Sequence, residues 1–151
     1  ASIFLFFLCA SCVAAQKPGS VTDEADLKGY HLKLSTLQGQ CILNYTKEGK
    51  QVVEKLALTE PCYFVRSTSR KVKVFSYEEV NVLATLIVVG NPISDETRDA
   101  WNLQKDDICG EKAQGLLIKN TGLQVTSKLL EGGVMCSNIG LDEKDFWYLA
   151  H

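Results

Sequence analysis

Histidine is scarce in this sequence: His31 and His151 are the only two in 151 residues. A Ser- or Cys-dependent hydrolase needs a base beside its nucleophile, with a third group to orient that base. His31 lies on the polar side of an early strand pattern and His151 is the final residue, so neither is placed for that work. The Gly-x-Ser-x-Gly turn of many esterases is absent. Beyond residue 15 there is no Cys-x-x-Cys or Cys-x-His pair, which removes the common zinc spacings. Strong charge of one sign is also missing. The formal net charge of −2 gives no electrostatic case for nucleic acid or an anionic membrane as partner. No apolar run approaches the roughly 20 residues that span a bilayer. There is no internal repeat or low-complexity tract, which argues against solenoids and propellers. No cofactor or metal is expected, and no enzymatic motif compels a reaction.

What is present divides the chain into three parts. Residues 1–15, ASIFLFFLCASCVAA, carry no charge. An apolar stretch from Ile3 to Leu8 runs into small residues, the pattern of a signal peptide cut after Ala15. No initiator Met or basic segment precedes it, so the segment reads as clipped at its start. A lipoprotein reading would place the lipid on Cys12, but a Leu three residues earlier is lacking. Residues 16–27 are polar and read as a flexible lead, with at most one helical turn over Asp23 to Leu27. Residues 28–151 read as a single β-rich domain.

Four cysteines follow the leader: Cys41, Cys62, Cys109 and Cys136. An even number in an exported domain predicts two disulfides, and four cysteines allow three connectivities. Cys41–Cys62 and Cys109–Cys136 are the favoured pairs, because each brackets a predicted hairpin. An oxidising setting, secreted or periplasmic, follows from that framework.

Alternation of apolar and polar residues marks the strands. Tyr30, Leu32 and Leu34 alternate with His31, Lys33 and Ser35, and Lys47-Glu48-Gly49-Lys50 has the character of a hairpin turn. Val80 to Val89 is apolar at both alternating sets, which predicts a strand buried on both faces. Ser94 can cap a short helix, with Trp101 and Leu103 expected to pin that excursion to the core. Gly115 to Lys119 and Leu123 to Leu129 read as a hairpin across Asn120-Thr121-Gly122, with a last strand from Val134 to Ser137. Asp142 to Ala150 reads as a short C-terminal helix. The expected fold is mainly β, an antiparallel sandwich or barrel of about eight short strands closed by that helix. The Gly-x-Trp signature of lipocalins and the Gln-x-Val-x-Gly loop of cystatins are both missing.

For function, the acid clusters Glu78-Glu79, Asp106-Asp107 and Asp142-Glu143-Asp145 raise the prospect of a carboxylate-dependent hydrolase, should two of them face each other across a cleft. The acidic segment from Asp95 to Asp107 lacks the ligand spacing of a calcium hand. A basic group, Arg66, Arg70, Lys71 and Lys73, and the aromatics Trp101, Trp147 and Tyr148 are candidate partner-binding residues. Asn44-Tyr45-Thr46 is an N-x-T acceptor sequence, relevant in a eukaryotic secretory pathway. The function expected is that of an exported, non-enzymatic binding protein. Its most specific form is a proteinaceous inhibitor or immunity-type protein acting on an extracytoplasmic enzyme. A small-molecule or carbohydrate-binding barrel or sandwich is the alternative.

Overall fold

A computed structural model describes residues 19–151; the predicted signal peptide and the first residues of the lead lie outside them. The described residues fold into two antiparallel sheets, with a helix at the C-terminal end. The first sheet is a simple meander of β1 (Val21–Leu27), β2 (Tyr30–Leu37), β3 (Gln40–Lys47) and β4 (Lys50–Thr59). The second contains β5 (Tyr63–Phe64), β6 (Phe75–Tyr77), β7 (Val82–Pro92), β8 (Cys109–Lys119) and β9 (Gly122–Cys136), with β7 and β8 at its centre. Two helices complete the fold, α1 (Asp95–Ala100) and α2 (Glu143–Ala150).

The meander is built on one turn used three times. Lys28-Gly29, Gln38-Gly39 and Glu48-Gly49 each have positive φ at both residues. That is the type I′ two-residue turn, whose twist matches the strands it joins and whose second position favours glycine. The lead is therefore shorter than its composition implies: Val21–Leu27 is a strand, not a helical turn, and pairs with β2 from Ser35 to Tyr30. Its three acids hid a pattern that only pairing with β2 reveals.

The core lies between the sheets. Tyr30, Leu32 and Leu34 of β2, Leu43 of β3, and Leu56 and Leu58 of β4 meet Leu86 and Val88 of β7 and Leu116 and Ile118 of β8. The other face of the second sheet presents Ile87, Val89, Ala113 and Leu117 to Phe146 and Leu149 of α2. β7 is thus covered on both faces, as its doubly apolar pattern predicts; its first residues differ, because Glu78–Val80 form a single 3-10 turn. β8 and β9 run longer than their sequence pattern indicates, and the last predicted strand is the end of β9, carried through Gly132-Gly133 by a register shift.

Side chains tie both edges of the first sheet to the second. At the β4 edge, Gln114 accepts from the Ala57 N–H (2.8 Å) and donates to the Thr126 carbonyl (2.7 Å). At the β1 edge, Thr22 donates to the Cys62 carbonyl (2.7 Å), and Asp23 accepts from the Phe64 N–H (2.9 Å) and from the Arg66 guanidinium. Edge groups occupied in this way are unavailable for pairing with another chain.

The disulfides are Cys41–Cys62 and Cys109–Cys136. The first crosses the inter-sheet core and packs against Gly90, where a Cβ would sit 2.7 Å from Cys62 Sγ. The second joins directly opposed residues of β8 and β9. Each bridge stabilises by about 3 kcal/mol through restriction of the unfolded chain. Among the described residues no helix is long and apolar enough to cross a membrane.

One buried side-chain polar atom is left over among the described residues. The Thr85 hydroxyl, on a fully buried residue of β7, has no hydrogen-bond partner among the described residues. An unpaired buried hydroxyl is costly, so Thr85→Val is expected to raise the unfolding free energy by about 1 kcal/mol. Denaturant titration of the two proteins checks this, with a higher midpoint expected for the variant.

Candidate functional site

The segment between β7 and β8 leaves the sheet at Pro92 and re-enters it at Cys109, and almost every turn in between is held by a named bond. Ser94 Oγ caps α1 by accepting from the Thr97 N–H (3.1 Å). Asp95 and Glu96 follow in its first turn, at the positive end of the helix. Arg98 sits in the last turn and directs its guanidinium back across the loop, where Nη1 donates to the carbonyls of Gln104 and Asp107, each at 2.7 Å. Asp107 in turn accepts from the Gln104 N–H (2.9 Å). Leu103 packs beneath the loop on Ile93, Cys109 and Cys136, so the disulfide forms its floor. The neighbouring 137–141 segment is joined to it through Ser137 N–H to the Ile108 carbonyl (2.8 Å).

This end of the sandwich carries an unusual surface. Trp101 closes α1 and is 60% exposed, and Ile139 and Ile108 are 50% and 40% exposed. The prediction that Trp101 pins the loop to the core is corrected: Leu103 takes the inward place and Trp101 is left outside. Trp101 forms one wall of a groove of about 480 Å³ whose other side is Gly132, Gly133 and Val134, with the Lys112–Glu131 ion pair (3.4 Å) alongside. The same loop carries Asp95, Glu96, Asp99, Asp106 and Asp107, against Arg98 and Lys105. The acids outnumber the two cations, so the loop carries a net negative charge.

The basic residues of the 66–73 segment do not form one free patch. Arg66 pairs with Asp23 and also donates to the carbonyls of Glu24 and Arg70. Lys73 donates to the Leu141 carbonyl (3.1 Å) and lies over the rings of Phe75 and Phe146. Arg70 and Lys71 are exposed, beside Glu24, Asp26 and His31.

The aromatics of α2 divide as helical geometry requires: Phe146 is buried, whereas Trp147 and Tyr148 are about half exposed. Both exposed rings have partners within the chain. Trp147 stacks on His151 (4.2 Å between centroids), and Lys128 lies over Tyr148 (4.9 Å). His151 is held rather than frayed, through Nε2 to Glu79 Oε1 (2.9 Å). Among the described residues, the Trp101 ring has neither an aromatic nor a cationic partner of this kind.

Two of the three acid clusters, those of Glu79 and Glu143, come together at one place that the sequence did not reveal, whereas Asp106-Asp107 stays in the β7–β8 loop. The Tyr77 hydroxyl donates to Glu143 Oε1 (2.7 Å), and Glu79 pairs with His151, which packs edge-on against Tyr77. These contacts clasp α2 to the segment that leads into β7. A backbone hydrogen bond, followed by the bond from His151, holds the Glu79 carboxyl below its usual range. Burial, followed by the hydrogen bond to Glu143, pushes the Tyr77 phenol well above its ordinary 10.0. The folded state therefore retains that proton where the unfolded chain releases it, so stability is full below pH 10 and declines as pH rises above it. Tyr77→Phe is expected to reduce this alkaline decline, leaving the part due to Tyr45, whose phenol burial also raises. Unfolding measured on either side of pH 10 in both proteins checks the difference.

Comparison with protein-family models, with curated proteins and with solved structures finds no match. Function therefore rests on the geometry of this chain alone.

Proposed function

We propose that this chain is an exported, non-enzymatic protein-binding module of the inhibitor type, and that the acidic loop of residues 94–108 is its contact surface. The observation that carries the reading is an exposed tryptophan on a loop already fixed in shape. Ordering a loop on association costs roughly 0.5–1.5 kcal/mol for each side chain immobilised. Here the Ser94 cap, the Arg98 bonds and the Cys109–Cys136 floor meet much of that cost during folding. Trp101 supplies the large, rigid apolar area typical of residues that dominate binding energy. The surrounding acids select a partner whose binding surface is basic, speed its encounter and disfavour acidic competitors. A cationic cleft of an extracytoplasmic enzyme is the partner chemistry that fits.

The space between the sheets is filled by the side chains of the inter-sheet core, which favours an outer contact surface over an internal ligand chamber. The test is affinity capture from the natural extracytoplasmic fluid at physiological salt, with the immobilised full chain as bait. A basic protein that is retained, saturates the bait and elutes as salt is raised is expected. Retention of nothing saturable contradicts the proposal.

A further inference from the structure

The outer face of the first sheet carries the chain's only N-x-Ser/Thr sequence, Asn44-Tyr45-Thr46. Strand alternation sorts its three residues: Tyr45 packs toward the inter-sheet core, while Asn44 and Thr46 point to the opposite, solvent side. Both are half-buried by their neighbours and neither is enclosed. Asn44 lies in register between Lys33 of β2 and Val53 of β4, and Val53 is 60% exposed. Farther along the same face Ile42 and Ser35 are buried, whereas Asn44 keeps part of its surface open, and its amide Nδ2 donates to Ser35 Oγ at 3.3 Å. That contact uses one N–H, and a glycosylated amide retains one.

From this arrangement we infer that Asn44 is an N-glycosylation site, filled as the chain passes through a eukaryotic secretory pathway. In the modification, Nδ2 forms a bond to the anomeric carbon of an oligosaccharide carried on a lipid pyrophosphate. The sugar–pyrophosphate bond breaks, the pyrophosphate leaves on its lipid, and one amide proton is released. The fold places the glycan where it does no harm and some good. It shields Val53, the most exposed aliphatic side chain of that sheet. It also stands clear of the acidic loop: Asn44 lies toward the end bearing the Gly29 and Gly49 turns, whereas β4 docks its other end, Thr59, on Asn91 beside the loop (2.9 Å). The disulfide framework belongs to the same oxidising route.

The test is secretion of the full chain from a eukaryotic cell, followed by peptide N-glycosidase digestion and peptide mapping. The expected result is a loss of mass on digestion, with the asparagine of the 44–46 sequence converted to aspartate. Asn44→Gln and Thr46→Ala abolish the shift, and Thr46→Ser retains it. A secreted wild-type chain whose mass is unchanged by the enzyme overturns the inference, and the wild-type map decides this even if a variant fails to fold. A digestible glycan that persists in Asn44→Gln overturns it equally.

Discussion

Replacing Phe146 with alanine is expected to lower the unfolding free energy by about 3–5 kcal/mol, the range for truncating a fully buried phenylalanine. Phe146 is 0% exposed and packs against Phe75 at 4.8 Å between ring centroids, with Tyr77, Ile87 and Leu117 in the same cluster. It is the side chain that makes α2 a third layer of the fold. Without it, Lys73 loses one of its two rings, and Leu149 with the Tyr77–Glu143 and Glu79–His151 contacts must hold an eight-residue helix that is far too short to persist alone. A denaturant titration reads the effect as a reduced midpoint. A loss below about 1 kcal/mol would mean that α2 only decorates the sheet.

The second large effect concerns binding alone. Trp101→Ala is expected to weaken the partner complex by about 2–4 kcal/mol, a loss of roughly 30-fold or more. Stability should change by no more than about 0.5 kcal/mol, because a side chain that is mostly exposed contributes little to folding. Trp147→Ala makes the control. It is exposed to a similar degree, but its ring is stacked on His151 and lies on α2, away from the acidic loop. A calorimetric or surface-binding titration with the captured partner separates the two. Equal losses for both variants would move the contact surface off the loop.

Much of the architecture was legible in the residues, for identifiable reasons. The favoured pairs Cys41–Cys62 and Cys109–Cys136 are the bridges observed: Cys109 and Cys136 fall opposite one another when the β8–β9 hairpin closes, whereas Cys62 meets Cys41 because the chain crosses to the second sheet just after the β3–β4 hairpin. The run from Val80 to Val89 declared its strand, Val82–Pro92, central because a strand covered on both faces can be apolar at both alternating sets. β1 did not declare itself. Its core contribution is slight, and Asp23 belongs there only because Arg66 and the Phe64 N–H, remote in sequence, meet its carboxylate. The charge pattern misled in the same way: Arg66 and Lys73 look like free cations in sequence, and tertiary contacts consume both.

The candidate site was legible as composition but not as geometry. The acids of the 95–107 segment and the capping serine are visible in the sequence. That Leu103 would turn inward and Trp101 outward depends on the hydrophobic floor formed by Ile93, Cys109 and Cys136. The role of Arg98 as the brace of the loop has no local signal either, since its acceptors are backbone carbonyls that any residues at those positions would supply.

Amide hydrogen exchange, with and without the captured partner, addresses the central claim most directly. In the free protein, the N–H groups of Arg98, Trp101 and Leu103, each bonded within the loop, should exchange more slowly than an unstructured segment. Addition of the partner should then deepen protection across residues 94–108 and the 137–141 segment, leaving the outer face of the first sheet unchanged. Exchange of the free loop at unstructured-chain rates, or partner protection confined to another face, would contradict the account.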